Sequence, residues 1–171
     1  NAEIDFEHAA QKLEFEFGQI DFLLSDGLNF RGGVMLMPMG NLNEFHEPNK
    51  FFTPERPDYH SKLIPTTWQQ AGLGMFGSQG DLSYRLYVVN ALQSLDGSRS
   101  FNNSSFVRSG RSQINQISAG NAAVAGRIEK KQPGGQAGFS FYTGDSTADY
   151  IEKGGNVTMI EFDYKTKRGA L

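Results

Sequence analysis

Apolar and polar residues alternate with a period of two along much of this chain. In residues 3–8, Ile4 and Phe6 share one face, and Glu3, Asp5 and Glu7 share the other. Residues 12–17 repeat the device, with Leu13, Phe15 and Phe17 set against Glu14 and Glu16. Such alternation predicts strands with one apolar and one watered face. The second strand continues through Ile20, Phe22 and Leu24, and a parity change near Gly18 predicts a β-bulge. Ser25-Asp26-Gly27 predicts a tight type I′ hairpin turn. Residues 28–39 then place Leu28, Phe30, Gly32, Val34 and Leu36 opposite Asn29, Arg31, Gly33 and two methionines. Further strands are predicted at 72–77, 82–89, 122–131, 137–143 and 156–167, with turns at 78–81 and 132–135.

Between these strands lie two long polar segments, residues 40–68 and 92–120, and a loop of moderate length at 144–155. From the third strand onward, long and short connections alternate. The short link near residues 9–11 breaks that rhythm, because a long one is expected there. The tally is about eight strands, most near the ~9–11 residues that a tilted membrane strand needs. Short turns on one rim and longer loops on the other are the plan of an outer-membrane barrel. The fold expected is therefore all-β: an antiparallel transmembrane β-barrel in one domain, residues 1–171. A closed soluble barrel of the lipocalin kind is the alternative, because alternation alone does not say which face meets water. The chain stops at Leu171 without a closing strand or terminal aromatic residue, so we expect the N-terminal part of a larger barrel.

Composition narrows the choice. Fourteen phenylalanines, six tyrosines, twenty glycines and no cysteine suit a turn-rich β protein without disulfides. No apolar run reaches the roughly 18 residues of a spanning helix, which excludes a helical membrane protein. A formal charge of −3 gives no nucleic-acid footprint, the basic pairs near 130 and 165 reading as strand ends. No leader precedes the first alternating run, as in a mature or trimmed exported chain or a cytoplasmic one.

Three arginines, Arg31, Arg85 and Arg127, each lie opposite an apolar strand face. In a barrel that parity turns them toward the lumen, where Glu161 and Asp163 of the last strand also point. They form either a ladder attractive to anions or, with carboxylates enough to pair each one, an internally neutralised network. The loop 40–68 carries four of the six prolines and the charged residues Glu44, Glu47, Arg56 and Asp58, candidates for lining a constriction. The same loop holds His46 and His60, but in no recognised metal-ligand spacing, so no metal or other cofactor is expected. Trp68, Phe51, Phe52, Tyr84, Tyr87, Tyr142 and Tyr164 are candidates for interfacial aromatic girdles. No nucleophile elbow or phosphate loop is present, and the chain does not read as an enzyme.

Residues 33–68, with VMLMPMGNLNEFHEP followed by FFTPERPDYHSKLIPTTW, resemble a family of porin-like outer-membrane barrels of Gram-negative bacteria. The likeness continues through GLGMFG and LSYRLYVVNAL, then RSGR and VAGRIE to FYTGDS. It implies a bacterial outer-membrane location and a barrel longer than this chain, and leaves the solute undefined. The partners that follow are outer-membrane lipid or lipopolysaccharide, small hydrophilic solutes diffusing passively, and a second copy of the barrel in a homo-oligomer. A barrel that scaffolds other proteins and conducts nothing is the remaining option.

Overall fold

A computed structural model describes residues 2–7, 12–44, 57–65, 67–93, 95–96, 99–101, 106–111, 120–146 and 155–166. Side chains are described from Phe17 onward, except those of His60, Ser61 and the short pair β6–β7. The strands are β1 (Ala2–Glu7), β2 (Lys12–Leu23), β3 (Asn29–Leu36), β4 (Gln69–Gln79), β5 (Leu82–Asn90), β6 (Leu95–Asp96), β7 (Arg99–Ser100), β8 (Ala122–Gln132), β9 (Gly135–Asp145) and β10 (Asn156–Thr166). Eight of them form one sheet in the order β1-β2-β3-β4-β5-β8-β9-β10, a meander in which each strand pairs with its neighbour in sequence. Every pairing is antiparallel. Strands β1 and β10 are the two edges and do not pair with each other. Strands β6 and β7 form a separate small hairpin within the second long loop.

The turns sort onto one rim. Asp26 O accepts from Ser78 N at 2.7 Å, and Asp81 O accepts from Lys131 N at 2.8 Å, so adjacent short turns are stitched together. The long connections leave from the opposite rim, as alternating antiparallel strands require. Gly80 (φ 60°) and Gly134 (φ 92°) supply the left-handed corners of the β4–β5 and β8–β9 turns. The β2–β3 connection departs from the expected type I′ turn. It is wider, running from Leu23 to its partner Asn29, and Gly27 is not in the left-handed region. Side chains close it instead: Asn29 Oδ1 accepts from Leu24 N at 3.0 Å and Ser25 Oγ from Leu28 N at 3.1 Å. The bulge expected near Gly18 falls just before it, since Glu3 faces Phe17 while Ile4 faces Phe15.

The register lines up whole rows of like residues. Phe22, Phe30, Met75, Leu86, Gly126, Phe141 and Ile160 are successive partners across seven strands. This face is apolar and bare: Phe162 is 77% exposed, Ile20 66% and Leu73 65%. The alternation of each strand assigns Phe15, Phe30, Leu36, Leu86, Phe139 and Phe162 to this apolar face; Phe30, Leu86 and Phe162 are exposed, Leu36 and Phe139 are half-buried, and Phe15 lies outside the described side chains. The opposite face carries the rows Asp21-Arg31-Gly74-Tyr87-Ala125-Tyr142 and Phe76-Arg85-Arg127-Ser140-Glu161.

The described parts of the long loop after β3 fold over this second face. A short helix, α1 (Gly40–Glu44), buries Gly40, Leu42 and Asn43, and a single wide helical turn follows at Tyr59–Leu63. Met37, Met39, Trp68 and Leu92 from the loops join Met35, Tyr87, Val89, Ala125 and Tyr142 in one core. Trp68 packs on Tyr142 with ring centroids 4.9 Å apart.

A glycine on each face makes room for a neighbouring ring, Gly74 on the covered face and Gly126 on the bare one. A Cβ on Gly74 would meet the Tyr87 ring at 2.5 Å, and one on Gly126 would meet the Phe141 ring at 2.6 Å. Both rings lie down across the neighbouring strand because no side chain stands in the way. Gly74→Val is therefore expected to lift Tyr87 from its site. The cost should be about 1–3 kcal/mol, the usual range for overpacking, read as a lower unfolding midpoint.

Candidate functional site

Arg85 and Arg127 are direct cross-strand partners on the covered face, an arrangement that like charges disfavour. The surrounding carboxylates resolve it. Glu129, two residues from Arg127 on the same strand face, takes Arg85 Nη1 on one oxygen at 2.8 Å and Arg127 Nε on the other at 2.9 Å. Asp163 on β10 accepts both terminal nitrogens of Arg127, at 2.6 and 3.0 Å, a fork geometry that arginine favours. Gly138 makes room for that fork, because a Cβ there would collide with both groups. Ser140 Oγ accepts from Arg127 Nη1 at 2.8 Å. The third carboxylate comes from the loop: Glu44 of α1 sits 3.0 Å from Arg85 Nε.

Arg31 forms a second cluster on the same face. Asp21 accepts from its Nε at 2.7 Å and from Nη2 at 2.9 Å. Its Nη1 donates to the Tyr87 hydroxyl at 3.3 Å, and the guanidinium lies over the Phe76 ring, 4.5 Å from its centroid. Beside Arg85, toward the short-turn rim, opens a cleft of about 220 Å³ whose lining includes Phe76 and Tyr84 as well as Asp26, Asn29, Ser83 and Arg85.

The loop is held by its own polar groups. Gly40 N donates to Ser140 Oγ at 3.1 Å, and a Cβ at Gly40, whose φ is 61°, would strike the Glu161 carboxylate. Asn43 Nδ2 donates to Met37 O and to Trp68 O, both at 2.8 Å, while its Oδ1 accepts from Trp68 N at 2.7 Å. The second long loop adds a contact, Arg111 Nη1 donating to Thr67 O at 3.3 Å. Burial pushes the Glu44 carboxyl above the usual glutamate range; Arg85 pulls it back and Glu129 adds to the rise.

The structure thus brings together Arg85, Arg127, Glu44 and Asp163, with Glu161 beside Gly40 and Arg31 in the neighbouring cluster. Glu47 and Arg56 lie outside the described residues. Asp58 does not line the site: it is exposed and pairs with Lys62 at 2.8 Å, one helical turn along its own segment. The girdle expectation is corrected for three residues, since Trp68, Tyr87 and Tyr142 are fully buried under the loops. Tyr84 and Tyr164 do lie on the apolar face toward the short-turn rim, and Phe51 and Phe52 lie outside the described residues. Asp21, Glu129, Ser140 and Asn43 belong to the site without having been singled out from sequence. Two of them left a signal there, Glu129 by sharing a strand face with Arg127 and Asp21 by mirroring Arg31 across the hairpin.

No family model matches the chain, and no solved structure matches it. It is 36% identical over 140 residues, 78% of its length, to an uncharacterized protein of Aquifex aeolicus. The match covers 32% of that relative, so the chain spans only part of the length of the protein it resembles.

Proposed function

We propose that the chain forms part of an outer-membrane-type β-barrel that passes small hydrophilic solutes, with residues 37–68 folded inward as its constriction. The observation that carries this is the polarity of the sheet. Its bare face is a continuous apolar row, and its covered face holds the buried arginines and their carboxylates. A soluble barrel calls for the reverse, charge outside and apolar groups within. In lipid that arrangement is favourable, because apolar area faces hydrocarbon while Arg31, Arg85 and Arg127 are paired with carboxylates on the other face. Tyr84 and Tyr164 then fall where an interfacial girdle belongs.

At the constriction, among the described residues, Arg31, Arg85 and Arg127 pair with Asp21, Glu44, Glu129 and Asp163, and Glu161 lies beside Gly40 on the same face, three cations against five carboxylates. This is the neutralised network rather than an anion ladder, and its residual charge favours cations. Glu44 takes up its proton at a higher pH than a solvated glutamate, and it faces Arg85, Glu129, Arg127 and Arg31. Acidification should therefore weaken cation preference before ordinary carboxylates titrate, and Glu44→Gln should abolish that early step. Reversal potentials measured across a pH series check this. An unchanged early step in Glu44→Gln would assign the titration elsewhere.

The membrane reading is tested with single cysteines, which the cysteine-free background makes unambiguous. Cysteines at Ile160 and Phe162 should resist water-soluble maleimides in refolded vesicles and be quenched by lipid-borne quenchers. Rapid aqueous labelling at both positions would sink the barrel. A barrel that does not conduct is the second reading. It is favoured by the core of Met35, Met37, Met39, Trp68 and Leu92, which fills the loop end of the covered face. Lipid-facing cysteines without channel currents in planar bilayers would select it.

A further inference from the structure

We infer that Asn43 is the positioning residue that sets the constriction, a one-residue staple whose loss swings α1 out of the lumen. The inference rests on the pore reading above and adds which residue controls the opening.

Strands β3 and β4 separate after the pair Leu36–Gln69, and Met37 N still reaches Trp68 O at 2.8 Å. Beyond that rung, among the described residues, the backbone ladder between these segments does not continue, and Met39 N turns back to Met37 O. The Asn43 amide fills the gap as a peptide group would. It exchanges a reciprocal pair of hydrogen bonds with Trp68, N–H to O and O to H–N, and spends its second N–H on Met37 O. The side chain is 1% exposed, so each of these bonds replaces water that cannot reach the groups. Both ends of residues 37–68 are therefore clasped by one residue that also belongs to α1. The next residue is Glu44, whose carboxylate is delivered to Arg85. Gly40 N on Ser140 Oγ and Glu44 on Arg85 also tie α1 to the strands, one buried hydrogen bond and one ion pair beside the three bonds of the clasp. Position and charge thus reside on adjacent residues. Asn43 places the helix, and Glu44 neutralises Arg85 once it is there.

The test uses Asn43→Asp, which keeps the acceptor for Trp68 N but turns both donors into a carboxylate facing two carbonyls. Asn43→Leu, similar in volume and uncharged, serves if the aspartate variant does not refold. Trp68 is the one tryptophan in these 171 residues and is fully buried, so its fluorescence reports the clasp without reference to conduction. In refolded, heat-modifiable protein, either variant should red-shift Trp68, open it to acrylamide, and raise single-channel conductance severalfold. Glu44→Gln should instead leave Trp68 shielded and change ion selectivity. Trp68 shielded in both Asn43 variants overturns the proposal. So does an exposed Trp68 when wild type conducts and the variant's conductance equals it. If Trp68 becomes exposed while neither wild type nor variant conducts, the staple stands and the pore reading falls.

Discussion

Arg127→Met is expected to be among the most damaging single changes in the described sheet, costing about 3–5 kcal/mol of folding stability. The methionine fills most of the volume, so the loss is electrostatic. Arg127 is 1% exposed and holds Glu129, Asp163 and Ser140 at once. Without it Asp163 keeps a carboxylate in a site that has just lost its fork of donors, and Glu129 is left with Arg85 and a long contact from Ser83 Oγ. One term works the other way: the repulsion between Arg85 and Arg127 disappears. It is smaller, because Glu129 and Glu44 already screen it. Adding Asp163→Asn to Arg127→Met should recover part of the loss, since the pair is coupled. Urea or thermal unfolding midpoints measure both. A loss within about 0.5 kcal/mol, the range of ordinary surface substitutions, would mean the network is solvated and contributes little.

Ile160→Arg has an expected effect of similar size, and its sign separates the two environments the sheet could occupy. Ile160 lies mid-strand on the bare face, paired with Phe141 and 63% exposed. Water would accept an arginine there at almost no cost. Hydrocarbon would not: the same change near the bilayer midplane costs about 2–4 kcal/mol. The variant should therefore refold into vesicles with a much lower yield or midpoint than wild type. The neighbouring Glu161 faces inward, so Glu161→Gln should leave lipid insertion intact. Equal folding of wild type and Ile160→Arg would place this face in water.

Much of the fold was legible because β-sheets write both faces into the sequence. Ile160, Phe162 and Tyr164 alternate with Glu161 and Asp163, and the structure keeps that alternation. The strands from 82 and 122 begin as the sequence predicts, and the turn sequences at Gly80 and Gly134 take the conformations that glycine permits. Gly72–Gly77 was predicted too short, because glutamines at 69, 70 and 79 look like loop residues. Gln70 nevertheless pairs with Met35 inside the sheet.

The site was half legible. The inward parity of Arg31, Arg85 and Arg127 follows from their strands, but their partners depend on register between strands, which alternation leaves open. Glu44 was separable from Asp58 only by the path of the loop. A buried helix of five residues has too few positions to show a helical period. Asn43 gave no signal at all, since its importance lies in two carbonyls far apart in sequence. Trp68, Tyr87 and Tyr142 misled because an aromatic residue looks the same in a girdle and in a core.

The bulge beside Gly18 has a bearing on how this protein can change over time. Opposite Glu3 and Ile4, the second strand carries one more residue than its partner, and the sheet continues beyond it in register. Elsewhere, a single inserted residue would turn over the rest of its own strand, so that one placed in β8 ahead of Arg127 would send Arg127 outward and Ile128 inward. Deletions and insertions inside β3 to β10 should therefore survive only in pairs, or where a new bulge absorbs the odd residue. Connections on the long-loop rim face no such rule and can lengthen by any number. Homologous chains, once gathered, should show even-numbered length changes within strands and unrestricted ones at the loop rim.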